Sequence, residues 1–206
     1  MSDPTPVVIV GAGPVGLALA CELARRAVPV RILDKLSVPT AESRAAVVHA
    51  RTLEAFSRIG VVDEIIAAGQ RTTGLQMYAD RVNRGKFDLG TVDSPYPFPV
   101  TLPQDETERI LTARLATLGV TVERERELAG LEQDASGVRA HLKSGEEIRS
   151  DWIVGTDGSH STVRGALGLR LEAPSKERRS CWATSKPTTS WTARRCTRSS
   201  RATPAR

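Results

Sequence analysis

Residues 7–35 read VVIVGAGPVGLALACELARRAVPVRILDK. An apolar run of strand length ends at Val10, and Gly11, Gly13 and Gly16 follow in G-x-G-x-x-G spacing. A helix-like Ala/Leu run comes next, then a second apolar run that stops at Asp34. Glycines in this spacing are common. Strand, glycine turn, helix, strand and a terminal acid about 20 residues on are much rarer together, and they predict a βαβ unit that holds a dinucleotide.

Each position has a physical task. Gly11 permits the tight turn out of the strand, Gly13 lets the backbone approach a pyrophosphate, and Gly16 lets the helix pack close to the sheet. Pro14 opens the helix, where a missing N–H costs nothing. The remaining first-turn N–H groups and the positive dipole end face the phosphates. Asp34 can accept from ribose hydroxyls, and Lys35 beside it belongs to the same set. The fingerprint does not separate FAD from NAD, and an ordinary βαβ unit with a glycine-rich turn is the alternative.

The net charge of +5 over 206 residues invites a nucleic-acid reading, but its distribution argues against one. Residues 175–206 hold nine Lys or Arg and one acid, so residues 1–174 are mildly acidic. Three cysteines without metal-like spacing argue against zinc and disulfides. The first apolar run is the nucleotide strand itself, and no run reaches the ~20 residues needed to span a bilayer. A cytoplasmic protein is expected, with no metal, no nucleic acid and no membrane as partner. The oligomeric state is left open.

Residues 175–206 differ in kind from the rest. Twelve of these 32 are Ser or Thr, and they carry Cys181, Cys196, Trp182 and Trp191 without helical or alternating period. Disordered tails are rarely enriched in Trp and Cys. Such text is what a GC-rich gene gives when read out of frame. The expectation is an unstructured, frameshifted segment over 179–206, with a genuine basic tail as the alternative.

Strands are predicted at 7–10, 30–33, 75–78 and 87–89, and helices at 15–26, 52–58, 62–68, 104–118 and 162–167. Residues 94–103 carry four prolines and read as a loop. Runs at 120–122, 125–134, 138–142 and 148–154 suggest a small antiparallel set with turns at 134–137 and 144–145. A strand then delivers Asp157 and Gly158 to a turn, and a short helix carrying Arg164 follows. Arg44 and Arg51 fall near the expected place of a third strand, and LPQDETERIL puts Gln104 at a helix start.

These motifs, in this order, resemble the FAD-dependent aromatic hydroxylases, the single-component flavin monooxygenases related to para-hydroxybenzoate and polyketide hydroxylases. The resemblance covers about residues 6–178. It implies an α/β fold: a Rossmann-like FAD-binding domain with a β-rich insertion, truncated. Residues 1–178 would be an incomplete FAD-binding domain that includes part of the substrate-domain β segment around 72–103. Gly11, Gly13, Gly16 and Asp34 would hold the ADP half of FAD, and Arg44 would meet the pyrophosphate or flavin edge. Gln104 would serve the ribityl and flavin region. Asp157 would serve FAD and NAD(P)H, with Arg164 bracing its loop.

The implied chemistry is reduction of FAD by NADPH or NADH and oxygen-dependent hydroxylation of a small aromatic or polyketide substrate. No catalytic residue is identified. The family's later G-D motif, its main substrate-domain strands and the helix closing the flavin pocket are absent, so activity of this chain is in question. A flavin-dependent halogenase, a reductase and a non-catalytic nucleotide-binding fragment are the alternatives. The residues also have plainer readings: Arg44 and Arg51 as solvated charges, Gln104 as a helix-opening residue, Asp157 as a turn or cap residue. His49, His141 and His160 have no partner by spacing and read as structural.

Overall fold

The computed structural model describes residues 5–39, 47–79, 82–90 and 92–171. All lie in the unit Met1–Glu172. Arg44 and the expected tail over 179–206 lie outside the described residues. In chain order the elements are β1 (Thr5–Val10), α1 (Pro14–Ala24), β2 (Val30–Leu33), β3 (Val47–Val48), α2 (Ala50–Ile59), α3 (Val62–Ala68), β4 (Gln70–Arg71) and β5 (Gly74–Ala79). They continue with β6 (Val82–Asp88), β7 (Val100–Thr101), α4 (Gln104–Thr117), β8 (Val122–Glu123), β9 (Leu128–Asp134), β10 (Gly137–Leu142), β11 (Glu147–Gly155) and α5 (Thr162–Ala166).

β1 is a continuous apolar run because both of its faces are covered, as in the interior of a parallel sheet. Val8 and Ile9 are fully buried. Val7 and Ile9 face α1, α2, α3 and α4, in a core with Leu17, Ala20, Leu53, Phe56, Ile65, Ile110, Leu111 and Leu115. Val8 and Val10 face the other way, with Leu33, Leu128, Ala140, Leu142, Ile148 and Val163. Each fully buried aliphatic side chain contributes about 1.5–3 kcal/mol, so this strand anchors both cores.

The main sheet has six strands in the order β8-β2-β1-β11-β10-β9. β1 pairs parallel with β2 and with β11, and β2 pairs parallel with β8. β9, β10 and β11 are joined antiparallel. The mixed α/β architecture matches expectation, but the grouping of strands differs. The run around 120–122 is not part of an antiparallel set: its strand, β8, lies parallel beside β2. β11 likewise belongs to both halves, since it continues the parallel sheet and closes the meander. The physical reason is that local hydrophobic pattern carries no record of which strand lies beside which.

The place beside β2 goes to β8. The short β3 joins β7 and β4 in a separate three-stranded sheet. β7 lies inside the stretch expected to be loop, and its Val100 is fully buried despite the flanking prolines. β5 and β6 form a two-stranded ribbon. β6 begins five residues before the expected strand at 87–89, since VNRGKFD is largely exposed and has no alternation to read.

Helix ends are fixed by specific groups. Gly60 ends α2 in the left-handed region at φ 83°. Arg114 Nε donates to Ile59 O at 2.9 Å, so α4 satisfies a terminal carbonyl of α2. Across the strand ends, Arg31 grips Glu123 with two bonds of 2.7 Å. Arg31 also stands 3.5 Å from Glu146, which pairs with Arg126. This fork ties β2 to β8 and to the β10–β11 turn.

The bond from Arg31 holds the Glu123 carboxyl below its ordinary value of 4.5. A carboxyl with a depressed value stabilises the fold above the ordinary range, and that contribution is lost as pH falls through the depressed value. Arg31→Ala should therefore lose about 1–3 kcal/mol at neutral pH in urea unfolding, and the gap to wild type should shrink on acidification. Cys21 is fully buried on α1, and burial pushes its thiol up to about 11. Its peptide should resist alkylation at pH 8 in the native protein and react once urea is added, as read by mass spectrometry.

Candidate functional site

A cleft of about 590 Å³ opens at the carboxyl ends of β1, β2, β8 and β11. Its walls are the glycine loop, residues 34–36 after β2, Gln104 and Glu108 on α4, residues 124 and 126–128 after β8, and residues 156–160 after β11. Ligands of open parallel sheets bind in this position, because loops diverge there and helix N-termini converge.

The glycine loop has the backbone geometry expected at Gly11 and Gly16. Gly11 turns at φ +103°, and a Cβ on it would lie 2.6 Å from Thr156 O. A Cβ on Gly16 would lie 2.0 Å from Gly11 O, so the helix can start only if this residue has no side chain. Gly13 differs from both. It is the extended N-cap of α1, with Pro14 at the first helical position, and a Cβ on it would meet nothing within 4 Å. Open space in front of a helix N-terminus is what a pyrophosphate requires.

Asp34 takes part in this loop directly. Its Oδ2 accepts from Ala12 N–H at 2.7 Å, and its Oδ1 accepts from Leu36 N–H at 2.8 Å. Arg124 stands 3.8 Å from Asp34 Oδ1 and lines the same cleft. The carboxylate thus fixes the glycine loop, and Asp34 lines the cleft with Lys35 beside it. Gln104 is the first residue of α4, and its amide donates to Glu108 at 2.7 Å. Glu108 is buried, 3% exposed, one helical turn from Gln104.

Asp157 acts as a cap in this geometry. Its carboxylate accepts from Ser161 Oγ at 2.5 Å, Thr162 N–H at 2.6 Å and Val163 N–H at 3.3 Å. Arg164 reaches back and donates to Gly158 O at 3.2 Å and Ser159 O at 2.5 Å. The loop that presents Asp157 and Gly158 is therefore held from two sides.

Gly11, Gly13, Pro14, Asp34, Lys35, Gln104, Asp157 and Gly158 all line the one cleft. Gly16 and Arg164 stand behind it and support its walls. Arg51 is elsewhere: its side chain is 81% exposed on α2 and pairs with Glu54 at 2.7 Å. His160, expected to be structural, is exposed on the cleft rim. His141 lies between Glu147 and Glu132 on the meander. Among the described residues, no group of three or more His, Cys, Asp or Glu could hold a metal ion. No described helix is long and apolar enough to cross a membrane.

Sequence reasoning missed Glu108, Arg124, Arg126 and Thr156. Glu108 had a local signal, because it stands four residues after Gln104 on one helix face. Arg124 and Arg126 had none, since only the pairing of β8 with β2 brings them to Asp34.

The sequence profile described as an FAD binding domain matches residues 4–200. The chain is 43% identical to 6-methylpretetramide 4-monooxygenase of Streptomyces rimosus over 175 residues, covering 82% of this chain and 31% of that protein. It is 37% identical to pentachlorophenol 4-monooxygenase of Sphingobium chlorophenolicum, over 83% of this chain and 33% of the relative. The flavin-dependent monooxygenase PieE, solved in complex with FAD and substrate, superposes with a TM-score of 0.74 at 26% identity, over 84% of this chain and 33% of that one. The chain thus spans about a third of the length of the relatives it matches. With its glycine-loop cleft and a profile match that covers nearly the whole chain, the protein belongs to the FAD binding domain family, that of the FAD-dependent aromatic hydroxylases.

Proposed function

We propose that this chain binds FAD in the cleft at the N-terminus of α1, and that it forms the cofactor-binding part of a monooxygenase that uses NADPH or NADH and oxygen on a small aromatic or polyketide substrate. The observation that carries the reading is the open space in front of Gly13, set between Asp34 on one side and the loop of Asp157 and Gly158 on the other. When bound, FAD supplies the electron transfer from the nicotinamide and the oxygen chemistry of hydroxylation.

The residues of the chain have binding and orienting roles in this reading. The N–H groups at the start of α1 and its dipole end bind the pyrophosphate. Asp34 accepts from the ribose hydroxyls through the lone pairs that Ala12 and Leu36 leave over. Gln104, held by Glu108, presents its amide toward the ribityl and flavin end. Asp157, already committed to Ser161 and Thr162, orders the loop whose backbone borders the cofactor. Arg44 is proposed for the pyrophosphate or flavin edge on family grounds alone. The names of the relatives support a hydroxylation chemistry, and the chain spans about a third of their length. A chain that binds FAD and leaves NAD(P)H unoxidised would correspond to the second reading, a non-catalytic nucleotide-binding fragment.

Titration of the purified chain with FAD and with NAD, followed by flavin fluorescence quenching and calorimetry, should show tighter binding of FAD. Tighter binding of NAD would overturn the proposal. Two glycine substitutions should then separate ligand space from loop geometry. Gly13→Val places its side chain in open space, so the melting temperature should change little while FAD binding is lost. Gly16→Ala drives a methyl onto Gly11 O and should destabilise the fold by about 1–3 kcal/mol in urea unfolding.

A further inference from the structure

The loop that holds Asp157 and the loop that holds Gly11 come from opposite ends of the described chain, and one residue joins them. Thr156 N–H donates to Val10 O at 2.8 Å. Its hydroxyl lies 2.9 Å from Val10 O and 2.8 Å from Gly11 O, with a proton to donate. Its Oγ1 also stands 2.7 Å from where a Cβ on Gly16 would be. Thr156 therefore fills the angle between the end of β1, the start of α1 and the end of β11.

The bond to Gly11 O matters because of peptide geometry. The carbonyl of Gly11 and the N–H of Ala12 belong to one planar, trans peptide and point in opposite directions. Thr156 holds the carbonyl end of that plane, and Asp34 Oδ2 holds the N–H end at 2.7 Å. With both ends held, rotating the plane requires breaking both bonds, although glycine at φ +103° is free enough to permit a flip. Gly13 comes next in the chain, where it lines the cleft and a Cβ on it would meet nothing within 4 Å. The Gly11–Ala12 peptide is the one that leads the backbone into Gly13.

We infer that Thr156 is a positioning residue for the phosphate-bearing part of the ligand: its hydroxyl fixes the Gly11–Ala12 peptide, and with it the turn that leads into Gly13, before any nucleotide arrives. This inference rests on the proposed binding of FAD in the cleft. Without the hydroxyl, the peptide samples other orientations, and binding must bear the cost of ordering it. The loss falls on ligands that carry phosphate and spares those that do not.

Thr156→Ala and Thr156→Ser differ by one hydroxyl and make the test. Affinities for FAD, ADP and adenosine are measured on the full chain at a temperature where the recorded melts show all three proteins folded. Adenosine, a weak ligand, is followed by saturation-transfer NMR. Thr156→Ala should weaken FAD and ADP about five- to tenfold and leave adenosine unchanged, and Thr156→Ser should recover most of the loss. In 15N spectra of the ligand-free chain, the Ala12 and Gly13 amide signals should shift in Thr156→Ala and return in Thr156→Ser. Equal FAD and ADP affinity in Thr156→Ala, a loss shared by adenosine, or no recovery in Thr156→Ser would overturn the inference while leaving FAD binding in place. Failure of the wild-type chain to bind FAD or ADP would overturn the underlying reading as well.

Discussion

The burial of β1 on both faces is the constraint from which the site follows. Val8 and Ile9 are fully buried, so the strand must sit inside the sheet with parallel neighbours on both sides. Parallel strands end at the same edge, and β1, β2, β8 and β11 accordingly deliver their carboxyl ends to one place. Gly11, Asp34, Arg124 and Thr156 are distant in sequence yet stand there together because each follows one of these strands. Were β1 covered on one face only, an antiparallel arrangement would serve, and the loops would fall at opposite edges.

The same edge collects charge in an ordered way. Asp34 and Arg124 face one another at 3.8 Å, and the fork of Arg31 on Glu123 lies close behind. These pairs are partly buried, where an unpaired charge is costly and a well-formed pair fixes geometry more than it adds stability. They hold β8, only two residues long, against β2. The short strand needs such help, since two residues of ladder contribute few backbone bonds.

Much of the site is legible in the sequence. The fingerprint names Gly11, Gly13, Gly16 and Asp34 because each requirement is local: a positive φ, a missing Cβ, an acid at a strand end. The motif of Asp157 and Gly158 is legible for the same reason, and the fold adds that the carboxylate caps α5. The placement of the third strand is not legible. The run around 120–122 is expected in an antiparallel set, and its strand β8 lies parallel beside β2 instead. β7 is hidden among prolines, which report turn chemistry and say nothing of a two-residue bridge with a buried Val100.

The sequence by itself determined the βαβ unit, its glycine turn and the family to which the chain is similar, because these rest on spacing within about 30 residues and on short motifs in a fixed order. Tertiary structure alone decided which strands are neighbours, and with that the partners of each functional group. Thr156 is an ordinary residue in the sequence, next to a recognisable motif. It becomes the joint between two loops only when β11 pairs with β1 and brings its hydroxyl to a carbonyl 145 residues away. A hydrogen bond needs its partners within about 3 Å. Spacing along the chain cannot encode that proximity, and only the packing of the sheet creates it.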